Sequence, residues 1–143
     1  MLAEGTYDAG AVADYRAQIE AQVAAWDQLY AELSTDSTPG VDVLEAFEPT
    51  YFAALLQSLE LRFVHRLRAK EGKDGNALNE VRLLAESFIS NDGRLLADKQ
   101  IKLDPERSVL GLNPGDDVVL RRDDFMRLVW AFFLEIETRY TQS

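Results

Sequence analysis

The sequence of 143 residues lacks cysteine and has a single histidine, His65. Without thiolates it has no disulfide, no cysteine-ligated zinc or iron–sulfur centre and no thiol nucleophile. One imidazole excludes every site that needs two, and a serine nucleophile would have only His65 as its base. The motifs GxxxxGK[ST], GxGxxG and HExxH are also missing. We therefore expect no cofactor and no metal, and the sequence favours a protein without enzymatic activity while leaving that question open.

Positive charge is scarce, with 15 Lys and Arg against 25 Asp and Glu, for a net charge of −10. An acidic chain repels the phosphates of nucleic acid, so no nucleic-acid partner is expected. The imbalance lies in one half of the chain. Residues 1–61 contain eleven acids and one base, Arg16, whereas residues 62–143 contain fourteen of each.

Long hydrophobic runs are missing as well. The longest run, residues 128–134, is far shorter than the roughly 20 residues that cross a bilayer. The first residues carry neither the basic nor the apolar region of a secretory signal. We expect a cytoplasmic protein with no membrane partner.

The apolar content of 47% suits one domain over residues 1–143, which would bury roughly 70% of the surface of the unfolded chain. Apolar residues at three- and four-residue spacing predict four amphipathic helices in a compact, mainly α bundle. We expect them at about residues 10–33, 49–70, 77–90 and 125–140. A short turn is expected to begin at Asp42, and the polar stretch 34–40 is expected to form a loop.

Between the third and fourth helices the pattern changes to alternating apolar and polar residues. The alternation occurs in residues 99–103, 108–113 and 117–121, and Asn-Pro-Gly-Asp at 113–116 is typical of a turn. The sequence therefore predicts a small antiparallel β-hairpin inserted at about residues 99–121.

A candidate anion site lies at the basic end of the second helix. If that helix reaches Lys70, then Arg62, His65 and Arg66 share one face, and two guanidiniums beside an imidazole suit a phosphate or a carboxylate. Further members of the pocket, placed there as a hypothesis, are Lys73, Asn76 and Arg82. His65 alone is either a general acid or base or a structural residue. The competing interpretation, which we favour, is that these cations offset the helix dipole and pair with the acidic first helix.

The Asp-Gly-Asn stretch at 74–76 offers oxygen atoms at alternate positions, as calcium loops do. The EF-hand pattern is not met, because Ala85 stands where its glutamate is required and Asn79 where its glycine is required. We expect a turn followed by a helix that Asn76 caps.

The fourth helix is apolar around most of its circumference, which is typical of a central helix or of a subunit interface. We expect an inward stripe of six apolar residues: Phe125, Leu128, Val129, Phe132, Phe133 and Ile136. Trp130 is offset from that stripe, and Trp130 with Phe133 forms the candidate interface. The competing interpretation, which the sequence favours, is that Trp130 is buried within the monomer between the helices and the hairpin. The leading hypothesis is a non-enzymatic acidic protein that acts through protein–protein interaction as a homo-oligomer or with a protein partner. The alternative is a small-anion or phosphate-binding site, with hydrolytic activity open, on the basic end and the Asp-Gly-Asn loop.

Overall fold

A computed structural model describes residues 3–35 and 40–141 of the chain. Within these residues the protein is mainly helical, and no stretch forms a β-strand. Its helices are α1 (Ala9–Ser34), α2 (Gly40–Arg62), α3 (Arg68–Glu71), α4 (Ala77–Ser90) and α5 (Arg122–Tyr140). Most of the predicted loop at 34–40 lies outside the described residues. No helix in the described part is both long and apolar enough to cross a membrane.

The other three long helices pack against α5, whose predicted inward stripe is confirmed. Its six members are at most 1% exposed. Aromatic residues of α2 meet that stripe, with Phe52 and Phe125 ring centroids 5.3 Å apart. Rings at this separation add to the hydrophobic gain from their burial, so the α2–α5 contact forms the centre of the core.

Helix α2 begins earlier than the sequence predicts and includes Pro49 in its interior. A proline there leaves the carbonyl four residues before it, that of Glu45, without its helical N–H donor. The Arg121 guanidinium donates to this carbonyl at 2.9 Å. The loss is thus compensated by a side chain from the other end of the chain, which the local pattern does not reveal.

Helix α2 also ends earlier than predicted, at Arg62 rather than near Lys70. The chain leaves the helix there to pair with the N-terminal segment. The N–H of Glu4 donates to the His65 carbonyl at 2.7 Å, and the N–H of Leu67 donates to the Glu4 carbonyl at 2.8 Å. These bonds form a parallel bridge between Glu4 and Arg66 that interrupts the predicted helix between the end of α2 and the start of α3.

The predicted β-hairpin at 99–121 is wrong. The backbone N–H groups of Val109 and Leu110 donate to the buried Glu80 carboxylate at 2.8 and 3.0 Å, and not to a neighbouring strand. The only pairing near the predicted turn that the described residues contain is an isolated antiparallel bridge between Arg94 and Asp117. The alternating pattern has another cause, because apolar residues of this long loop are anchored singly in the core. Those anchors include Ile101, Val118 and Leu120.

Candidate functional site

Five polar residues form a buried group that we call the ionic cluster: Glu60, Arg66, Glu71, Asn79 and Arg82. Glu71 is its centre and is fully buried. Its Oε1 accepts from Arg66 Nε at 2.9 Å and from Arg82 Nη2 at 2.6 Å. Its Oε2 accepts from Arg82 Nε at 3.1 Å and from Asn79 Nδ2 at 2.8 Å. Hydrogen-bonded pairing of this kind is what makes buried charge tolerable.

Arg66 is 1% exposed, and each of its three guanidinium nitrogens donates a hydrogen bond. Besides Glu71, it donates to the carbonyls of Phe63 at 3.0 Å and Leu78 at 3.1 Å. Its Nη2 lies 3.0 Å from Glu60 Oε1, although that atom accepts no well-directed hydrogen bond. Arg66 therefore ties the end of α2 to α3 and α4, and its burial keeps its guanidinium away from a ligand in solvent.

The turn at 74–76 brings α4 to the cluster, and Asn76 caps that helix as predicted. Asn76 Oδ1 accepts from the N–H of Leu78 at 2.9 Å, and its Nδ2 donates to the Glu71 carbonyl at 2.7 Å. Gly75 has φ 87°, and a Cβ there would collide with the Lys102 carbonyl oxygen. Only glycine meets both conditions, so this turn fixes where Asn79 and the rest of α4 enter the cluster.

The two carboxylates of the cluster differ in their electrostatics. Burial opposes ionisation of Glu71, but the hydrogen bond from Arg82 and the charges of Arg66 and Arg82 outweigh it, so the Glu71 pKa is lowered. Burial dominates at Glu60, and its pKa is raised despite the charge of Arg66. The cluster thus holds Glu71 firmly as an anion and compensates Glu60 less completely.

The residues of the predicted anion site do not form one pocket. Arg66 and Arg82 meet in the cluster beside the cap Asn76, as described above. The other three residues lie elsewhere. The Arg62 guanidinium lies 5.2 Å from the Tyr15 ring centroid, and His65 is exposed. Lys73 Nζ donates to Gln100 Oε1 at 3.1 Å. Because α2 ends at Arg62, the helical face predicted for Arg62, His65 and Arg66 does not exist.

The favoured interpretation, cations paired with the acidic first helix, needs correction too. The partners of Arg66 are Glu60 and Glu71, neither of which belongs to α1. Sequence reasoning missed both acids. One signal was available for Glu60, because it lies four residues after Leu56 and three before Phe63, on the buried stripe of α2.

A groove of about 480 Å³ opens beside the cluster, and the largely buried side chains of Glu60 and Arg82 line part of it. Arg82 Nη1 makes no hydrogen bond within the described residues, and the nearest acceptor, Glu60 Oε2, lies 3.8 Å away. The described lining residues include no hydroxyl and no imidazole. No group of three or more acids or histidines in the described part is placed to hold a metal ion. The groove offers polar contacts from arginines and carboxylates.

On another side of the molecule lies the outer face of α5, formed by Asp123, Met126, Arg127, Trp130, Leu134, Glu137 and Thr138. Trp130 is 61% exposed and Leu134 is 48% exposed. An open groove of about 770 Å³ runs beside Trp130 to Val109. Phe133, the other predicted interface residue, is fully buried, so of the two only Trp130 lies at the surface.

The charged residues of this face make only exposed contacts within the chain. Arg127 Nη2 donates to Asp124 Oδ1 at 2.9 Å, and its Nη1 donates to the Val109 carbonyl at 2.9 Å. Glu137 Oε1 accepts from Arg16 Nη1 at 3.3 Å. Exposed ion pairs contribute about 0 to 1 kcal/mol, so these side chains exchange partners at little cost.

Comparison with family models, with curated proteins and with solved structures finds no match for this chain. Its function is therefore argued from its own geometry.

Proposed function

We propose that this protein is a non-enzymatic binding protein that self-associates through the outer face of α5. The observation that carries the proposal is the exposure of Trp130. It is an aromatic residue of α5 that the fold leaves in water, next to Leu134 and a groove. Removing a large aromatic side chain from water contributes roughly 25 cal/mol per Å² of area buried, and such residues dominate interface energies.

The charges of the same face favour a second copy of the chain as the occupant. Arg127 lies on the N-terminal side of Trp130, and Glu137 lies on the C-terminal side of Leu134. Asp123 lies one turn before Arg127, near the N-terminal edge of the face. The stripe from Arg127 to Glu137 has an apolar centre between a base and an acid, and such a stripe is complementary to itself when one copy is reversed. The face therefore needs no partner of different composition.

The ionic cluster supports a different role. Its guanidiniums already face Glu60 and Glu71, and replacing either acid would leave buried positive charge. Its position between α2, α3 and α4 supports the interpretation that it orients these helices.

The alternative function, binding of a small anion, keeps one supporting feature, the unused donors of Arg82 Nη1 at the groove. Arg68, which is 53% exposed, lines the same groove and is its most accessible cation. A thermal-shift titration with inorganic phosphate tests it. A rise in melting temperature that Arg68→Ala abolishes supports this function, and no rise contradicts it.

Self-association is tested by light scattering behind size-exclusion chromatography over a range of protein concentrations. We expect the mass of the wild-type protein to rise toward that of a dimer, and Trp130→Ala to stay monomeric. Leu61→Ala is the matched control, because Leu61 is 71% exposed on α2, away from this face, and should behave as wild type. A wild-type protein that stays monomeric throughout, or a Trp130→Ala variant that dimerises equally, contradicts the proposal.

A further inference from the structure

We infer that the two copies pair α5 against α5 in antiparallel orientation, with the twofold axis midway between Trp130 and Leu134. This inference rests on the proposed self-association and adds its geometry. In this register Trp130 of each copy packs on Leu134 of the other, and Arg127 of each copy meets Glu137 of the other.

The register follows from helix spacing. Arg127, Trp130, Leu134 and Glu137 are separated by three, four and three residues, so they form one stripe along the exposed side of α5. The spacing is symmetric about position 132, since residues 127 and 137, like residues 130 and 134, are equally far from it. A reversed copy therefore places residue 134 opposite residue 130, and residue 137 opposite residue 127.

The charges select the antiparallel orientation. A parallel pair in the same register would place Arg127 on Arg127 and Glu137 on Glu137, and like charges in contact are unfavourable. The antiparallel pair replaces both repulsions by Arg–Glu contacts. The present partners of these side chains, Asp124 and Arg16, are partly exposed, at 29% each, and ion pairs at the surface contribute about 0 to 1 kcal/mol, so they do not prevent the exchange.

The apolar contact fits the same arrangement. The groove beside Trp130, between α5 and Val109, leaves space for an aliphatic side chain of the other copy. Helix α5 has 19 residues and is about 28 Å long, so one helix pair buries less than the roughly 1,600 Å² of a standard interface. We expect a micromolar association.

Disulfide trapping tests the register, and the absence of cysteine from the chain makes it specific. Single variants Arg127→Cys and Glu137→Cys are oxidised alone and mixed. In the antiparallel pair, residue 127 of one copy lies about 15 Å along the axis from residue 127 of the other, too far for a disulfide, whereas residues 127 and 137 oppose each other. We expect a cross-linked dimer from the mixture only. Leu61→Cys, on α2, is the control and should cross-link with neither.

Charge reversal provides the second measurement, made by sedimentation on variants whose fold is checked by circular dichroism. Arg127→Glu alone and Glu137→Arg alone should each weaken association at least about tenfold, because each places like charges at both ends of the pair. A mixture of the two single variants should associate as strongly as the wild-type protein, in the form of a heterodimer.

The outcomes separate this inference from the proposed function. Self-cross-linking of Arg127→Cys, or charge variants that associate as wild type, overturns the antiparallel register even when Trp130→Ala is monomeric. In that case self-association through α5 stands and its geometry is wrong. A wild-type protein that never dimerises overturns both.

Discussion

The ionic cluster and the outer face of α5 depart in opposite ways from the arrangement in which apolar groups are inside and charges are outside. In the cluster, charged side chains are buried, and Glu71 has a partner in the chain for each of its oxygens. On the outer face, the apolar side chains of Trp130 and Leu134 are 61% and 48% exposed to water. The first departure is compensated within the molecule and the second is not. The comparison supports a role of the cluster in maintaining the fold, and it is the reason why we propose the outer face of α5 as the binding surface.

The largest effect that this comparison predicts is on the cluster. Glu71→Gln removes the negative charge that Arg66 and Arg82 share, and breaking a buried ion pair in this way costs about 3–5 kcal/mol of unfolding free energy. Denaturant unfolding measures the loss. Glu20→Gln is the control, because Glu20 forms an exposed pair with Arg16 and should cost less than about 1 kcal/mol. If Glu71→Gln lost no more unfolding free energy than Glu20→Gln, the claim that the ionic cluster maintains the fold would be contradicted.

A second buried carboxylate should give an intermediate effect. Glu80→Gln keeps the shape of the side chain but replaces one acceptor by an NH₂ group that faces a backbone N–H of Val109 or Leu110. One buried hydrogen bond lost in this way costs about 1–3 kcal/mol. Hydrogen exchange should show faster exchange over residues 108–112. Unchanged exchange there would mean that Glu80 does not hold the loop.

The pH dependence distinguishes the two acids of the cluster. The Glu71 pKa is lowered, so its contribution is complete above the ordinary value of 4.5 and is lost as the pH falls through its folded pKa. The Glu60 pKa is raised because of burial, so the folded state keeps its proton longer and loses stability as the pH rises from 4.5 through the folded pKa. The deficit of Glu71→Gln should therefore shrink toward acid pH, whereas that of Glu60→Gln should shrink toward neutral pH. Urea titrations at a series of pH values measure both. If the deficits in unfolding free energy of the two variants changed with pH in the same direction, the difference between Glu60 and Glu71 would be contradicted.

The smallest effect on stability is expected at the outer face. Trp130→Ala removes an exposed side chain and should change the unfolding free energy of the monomer by less than about 1 kcal/mol. Denaturation at low protein concentration, where the monomer predominates, measures it. A loss comparable with that of Glu71→Gln would mean that Trp130 serves the fold.

The sequence predicts those parts of the fold whose causes are local. The helical spacing in α1, α4 and α5, the inward stripe of α5 and the Asn76 cap are each set by residues within a few positions. The end of α2 is set by Glu4, more than fifty residues earlier in the chain, and periodicity does not record that pairing. The loop mistaken for a hairpin is organised by Glu80, about thirty residues away.

The candidate sites divide in the same way. The position of Trp130 off the inward stripe is visible from spacing alone, but the favoured prediction of its burial between the helices and the hairpin is wrong, because no hairpin forms and Trp130 is 61% exposed. The cluster depends on Glu71, which lies in a four-residue helix that no pattern indicates, and on a turn that brings Arg82 to it. Chemistry assembled from several elements requires their spatial order, which spacing does not contain.

Sedimentation velocity on the wild-type protein and on Trp130→Ala, each over a wide concentration range, tests the central claim most directly. The account predicts a reversible monomer–dimer equilibrium for the wild-type chain and a single monomeric species for the variant. Identical sedimentation of the two proteins at every concentration would contradict it.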